Sequence, residues 1–192
     1  MDEGVDATFY AMPRLVTHID DAAIATVGDL YAELRIEGDV LDLMSSWVSH
    51  FHHPPRNLRV LGMNEAELAA NTPASERLVH DLNVDPAIPL PDECIDDAVC
   101  CVSVDYLTRP VQVFRDVARV LRPGGRLVCT FSNRVFPTKA IVGWLEGTDE
   151  DRCAIVAEYF RQSRVFDQPT VARRTPVDHR GDPLFAVWAR RR

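Results

Sequence analysis

The sequence has no apolar run approaching the roughly 20 residues that cross a bilayer, which excludes a membrane-spanning helix. It also lacks a basic excess. Lys and Arg number 21 against 29 Asp and Glu, a net charge of −8. Phosphate backbones are neutralised by a basic face, so no nucleic-acid partner is expected. The arginines at its C-terminal end read as a short solvated tail. The start, Met1-Asp2-Glu3-Gly4, is acidic with no apolar stretch behind it, so no signal peptide is expected. There is no internal repeat and no low-complexity segment. A Gly-x-Ser-x-Gly elbow and a Gly-x-x-x-x-Gly-Lys loop are both missing, which removes two common routes to hydrolase and P-loop chemistry. Five cysteines are an odd number, and Cys100, Cys101 and Cys129 sit inside apolar runs. They read as small core residues of a reduced, cytoplasmic protein rather than a disulfide framework.

What is present is ordinary globular composition. Of 192 residues, 46% are hydrophobic and 26% charged, which suits one domain with a full core. Residues 22–36 carry Ile24, Val27, Leu30, Tyr31 and Leu34 at helical spacing, with Asp20-Asp21 as the cap. Five apolar runs of strand type follow at 40–44, 58–63, 77–81, 97–104 and 126–131. Helical stretches lie between them, at 65–70 and at 111–121, where Pro110 occupies the first turn and Val113, Phe114, Val117, Val120 and Leu121 form one stripe. Further helices are expected over 138–145 and 150–161, and strands over 170–174 and 184–189. Alternating strands and helices predict a doubly wound α/β fold: a mostly parallel seven-stranded sheet with helices on both faces. Residues 1–37 read as an N-terminal segment and helix, and 38–192 as the core, within one domain. In such sheets ligands sit beyond the carboxyl ends of the strands. Those ends carry Asp42, Asn64, Asp81 and the run from Ser103 to Tyr106. Asn64 follows Asp42 by about the 20 residues at which a polar side chain meets a ribose in dinucleotide folds.

Three segments carry a family resemblance. Pro89-Leu90-Pro91-Asp92-Glu93-Cys94-Ile95-Asp96-Asp97-Ala98-Val99 leads into the fourth strand. The run from Val113 to Val128, containing Ala118-Arg119-Val120-Leu121-Arg122-Pro123-Gly124-Gly125-Arg126-Leu127-Val128, joins a helix to the fifth. Val40-Leu41-Asp42-Leu43 forms the first. Together, over about residues 38–131, they resemble class I S-adenosylmethionine-dependent methyltransferases that act on small molecules. Gly124-Gly125 has its own reason: glycines take positive φ in a tight helix-to-strand turn. The family's glycine-rich loop after the first strand is altered. Met44, Ser46 and Val48 stand where glycines would let the backbone approach the nucleotide. Two readings remain open: Ser45 and Ser46, with backbone N–H groups at a helix N-terminus, hold the cofactor carboxylate, or the pocket has decayed.

The resemblance implies S-adenosylmethionine as cofactor and assigns residues to it. Asp42 and Met44 would support its amino-acid end with Ser45 and Ser46, and Asn64 its ribose. Met63 would lie on the adenine or simply fill the core. Asp81 with Leu82 would meet the adenine edge, with Asp85 as an alternative, or Asp81 would form a turn. Ser103 would line the pocket beside the sulfonium. For the acceptor, a lid spanning residues 9–20 offers Tyr10, Arg14 and His18, with Tyr106 after strand four. Imidazole is the side chain closest to neutral pKa, so His18 is the candidate base, with Tyr10 and Tyr106 beside it. Arg14, Asp105, Asn133 and Arg134 are candidates for binding substrate, and Lys139 borders them. His50, His52 and His53 read as a solvated loop rather than a metal site. The expected activity is methyl transfer to a small-molecule acceptor by a cytoplasmic monomer or homodimer, without metal, membrane or nucleic acid. The rival is a non-catalytic binding module with a degenerate pocket.

Overall fold

The computed structural model describes residues 9–192. Helix α1 (Asp21–Glu33) is capped by the Asp20 carboxylate, which accepts from Ala23 N. The sheet strands are β1 (Asp39–Leu43), β2 (Asn57–Gly62), β3 (Glu76–Val79), β4 (Ile95–Cys101), β5 (Leu121–Phe131), β6 (Thr170–Arg173) and β7 (Phe185–Arg190). Between them lie α2 (Glu65–Ala70), a 3₁₀ turn (Val104–Tyr106), α3 (Pro110–Val120), α4 (Val142–Glu146) and α5 (Asp149–Ser163). The strand order is β3-β2-β1-β4-β5-β7-β6. All pairs are parallel except those of β7, which runs antiparallel to β5 and β6. This is the expected doubly wound α/β sheet.

Alternation along the buried strands sends neighbouring residues to opposite layers. Leu41, Leu61, Ala98, Cys100 and Leu127 face α3, α4 and α5, where Phe114, Trp144, Phe160 and Phe166 are fully buried or nearly so. Val40, Val60, Val99 and Val128 face α1 and α2, meeting Ala23, Val27, Leu30 and Leu68. Helix α1 therefore belongs to the same core as the sheet. Cys100 and Cys101 fall on opposite layers, and all five cysteines are free. No helix among the described residues is long and apolar enough to cross a membrane.

Two local expectations are corrected. The fifth strand begins at Leu121, directly after α3, and shifts register between Ile95 and Asp97 of β4. Gly124 takes a positive φ of 78° within that excursion and Gly125 does not. The basic tail is not free: Arg190 ends β7 and donates to Gly124 O, while Arg191 bonds Leu121 O and Glu93.

The winding reverses at β1, which pairs with β2 on one side and β4 on the other. Diverging crossovers leave a crevice at the carboxyl ends of these strands.

Candidate active site

The crevice opens where the sheet topology places it and is roofed by residues 10–18. Its floor is the bend after β1. Asp42 is buried there, and both Ser45 Oγ (2.7 Å) and Ser49 Oγ (2.5 Å) donate to its Oδ2. Burial pushes the Asp42 carboxyl up to about 6 against the pull of those two hydroxyls. Residue 44 has φ +52°, the left-handed conformation that glycine ordinarily supplies. Met44 thus keeps the bend without its glycine. Gly62 of β2 makes room beside it: a Cβ there would lie 2.3 Å from Ser45 O. Val102, after β4, is also left-handed at φ +46°, a strained state for a β-branched residue.

No helix follows β1; residues 44–56 run as a loop to β2. The expected anion site at a helix N-terminus is therefore absent. The serines are also committed elsewhere: Ser45 bonds Asp42, and Ser46 Oγ donates to Glu67 Oε2 at 2.6 Å. Asn64 caps α2, accepting from Glu67 N, and its amide donates to Tyr10 O (2.8 Å) and Ala11 O (3.3 Å). Asp81 accepts from Asn83 N and Val84 N, the turn-forming geometry. Asp85 likewise accepts from Ala87 N. Ser103 Oγ donates to Cys101 O at 2.8 Å, and Leu82 is buried along the wall. All nine residues assigned to the cofactor line this one crevice.

The roof is held by side chains gripping the lid's backbone. Glu67 Oε1 accepts from Arg14 N at 2.6 Å, and Trp47 Nε1 donates to Val16 O at 3.1 Å. Under it, Phe136 is the hub of a ring cluster. Phe9, His18 and Tyr106 lie 5.4, 5.2 and 5.8 Å from its centroid, and its backbone N–H donates to the Tyr106 hydroxyl. Arg14 stacks on Phe9 at 4.3 Å. Burial and the Arg14 charge lower the His18 pKa, while Glu67 raises it; burial and His18 lower that of His50.

Tyr10, Arg14, His18 and Tyr106 line the crevice. Three expected substrate residues do not. Asp105 is only 2% exposed, pointing into the core beside Tyr106, and burial pushes its carboxyl up to about 7. Asn133 and Arg134 are exposed, and Arg134 pairs with Asp182 at 2.7 Å. The strand-end rule located their positions in the chain but not the direction of their side chains. The histidine trio splits. His52 pairs with Asp29 at 2.8 Å, His53 is exposed, and His50 turns into the crevice. Among the described residues, no group of three or more His, Cys, Asp or Glu could hold a metal ion.

Sequence reasoning missed Tyr31, Trp47, Glu67 and Phe136 as crevice residues. Glu67 stands three residues after the cap Asn64, the spacing of a capping box, which flags a structural role only. Tyr31 lay in the apolar stripe of α1, yet its hydroxyl is fully buried, unpartnered, and borders the crevice. An unpaired buried hydroxyl, a buried carboxylate and a preserved left-handed bend fit a polar nucleotide at this position.

Comparison with known proteins agrees with this geometry. Residues 56–129 match the family described as "Methyltransferase domain". No curated protein matches the sequence. Among solved structures, an S-adenosylmethionine-dependent methyltransferase from Mesorhizobium loti is 18% identical, with a TM-score of 0.58 over 84% of this chain and 97% of that one. The PH0226 protein of Pyrococcus horikoshii OT3 is 12% identical, with a TM-score of 0.63 over 98% and 100%. A structure of a Haloferax volcanii methyltransferase complexed with the Trm112 methyltransferase activator gives 16% and 0.57 over 81% and 82%. At these identities the structures establish the fold, and the domain match over residues 56–129 is a similarity to methyltransferases. The chain thus has the fold of S-adenosylmethionine-dependent methyltransferases, and its residues 56–129 match a methyltransferase domain.

Proposed function

We propose that this chain methylates a small-molecule acceptor in the cytoplasm, holding the cofactor at the ends of β1, β2 and β4 and the acceptor under the lid. One observation carries the reading: His18, Tyr10 and Tyr106 converge with Phe136 on a crevice roofed by the chain's own lid. A roof bonded at residues 10, 11, 14 and 16 leaves room for a small molecule, and a macromolecular acceptor would have to displace it. The free cysteines fit a reducing compartment.

When bound, S-adenosylmethionine supplies an electrophilic methyl carbon and a neutral thioether leaving group. The protein's work is then alignment, water exclusion and proton removal. Asp42 fixes the bend that would receive the amino-acid end, where Met44, Ser45, Ser46 and Ser103 would surround it. Asn64 would offer its side chain to the ribose, and Met63, Asp81 and Leu82 would border the adenine. Arg14 offers charge to a polar acceptor. His18, kept neutral by burial and by Arg14, takes the acceptor's proton.

The test is incubation with methyl-labelled cofactor and a deproteinised metabolite extract. Label in a low-mass product is expected. Label only on added protein or nucleic acid, with none on small molecules, would refute the small-molecule reading.

A further inference from the structure

One side chain joins every part of this site. Glu67, on the first turn of α2, has both carboxylate oxygens engaged at 2.6 Å, one by the lid at Arg14 N and one by the bend after β1 at Ser46 Oγ. Such charge-assisted bonds are among the strong ones. The first is to backbone, so it fixes where the lid sits rather than which side chain occupies position 14. Two residues along from that anchor, Trp47 holds Val16 O, and on the other side Asn64 holds Tyr10 O and Ala11 O.

We propose that Glu67 is the positioning residue of this enzyme: it latches the lid to the cofactor bend and sets the lid's His18 on the same crevice as its own carboxylate. The catalytic meaning of the second half rests on the reading of His18 as the base. The latch itself does not.

Among the described residues, these groups act on His18. Glu67 comes from α2, Arg14 from the lid, His50 from the loop after β1, and the uncharged Phe136 ring from the loop after β5. Burial and Arg14 favour the neutral imidazole, and Glu67 is the group that favours the protonated one. The carboxylate therefore offsets part of the burial penalty and keeps His18 basic enough to accept a proton. A latch of the same shape without charge would lose that effect.

Glu67→Gln supplies this variant, since its carbonyl oxygen still accepts from Arg14 N and its amide can donate to Ser46. The experiment is NMR titration of the His18 imidazole in the full chain, with hydrogen exchange at the Arg14 amide and no acceptor required. In Glu67→Gln the His18 proton affinity should fall by about threefold or more. In Glu67→Ala the Arg14 amide should exchange about tenfold faster. An unmoved His18 titration in Glu67→Gln, or unchanged Arg14 exchange in a folded Glu67→Ala, would overturn the proposal. Loss of the base reading would appear separately, as undiminished turnover in His18→Gln with both Glu67 effects intact.

Discussion

Asp42→Asn isolates what the buried carboxylate costs and what it is for. Its pKa is raised from 3.8 to about 6, chiefly by burial. Each tenfold change in proton affinity is about 1.4 kcal/mol, so charging Asp42 in the folded chain costs roughly 3 kcal/mol more than in the unfolded one. A raised carboxylate pKa means that the folded state binds the proton more tightly, so the penalty is complete above pH 6. It shrinks as pH falls and vanishes below about 3.8. Asparagine keeps a carbonyl oxygen for Ser45 Oγ and Ser49 Oγ and carries no charge. At pH 7 Asp42→Asn should therefore be the more stable by about 1–3 kcal/mol, the lower figure allowing for imperfect amide fit. With a urea slope of about 2–3 kcal/mol per molar, the midpoint should rise by about 0.5–1 M. At pH 4 the two curves should nearly coincide. Urea denaturation at both pH values is the assay. Equal destabilisation at both would refute the burial argument. A gain at pH 7 would mean that the carboxylate is retained against stability, as functional groups are.

Three further variants test the bend and the lid. Met44→Gly relieves a left-handed residue costing roughly 1 kcal/mol and gives up a similar amount of packing, so melting should change little. S-adenosylhomocysteine should bind more tightly by calorimetry, and weaker binding would contradict the account of the bend. Gly62→Ala drives a Cβ against Ser45 O and should destabilise by about 1–3 kcal/mol while weakening that ligand; a neutral result in thermal melting would remove the close approach. His18→Gln should lower turnover about a hundredfold with cofactor affinity unchanged, measured with the labelled cofactor and the extract, and full turnover would reduce the lid to packing.

The strand–helix rhythm was legible because buried parallel strands are continuous apolar runs bounded by clear helix stripes, as at Val99 and α3. The strand-end rule also gathered Asp42, Asn64 and Ser103 at one crevice. Illegible were features that depend on direction. Asp105 and Tyr106 are adjacent, yet a 3₁₀ turn buries one and sets the other on the crevice wall. Ser45 and Ser46 looked free to hold an anion, but the missing helix after β1 and the reach of Glu67 commit both hydroxyls within the chain. Such pairings join residues 21 or 53 positions apart, as Ser46 and Arg14 are from Glu67, and local pattern does not encode them.

The most direct test is calorimetric titration of S-adenosylhomocysteine into the native chain and Asp42→Asn. The native chain should bind with a dissociation constant in the micromolar range, about −8 kcal/mol, and Asp42→Asn at least about tenfold more weakly. No heat at millimolar ligand, or equal affinity in the two proteins, would contradict a nucleotide site built on the Met44 bend.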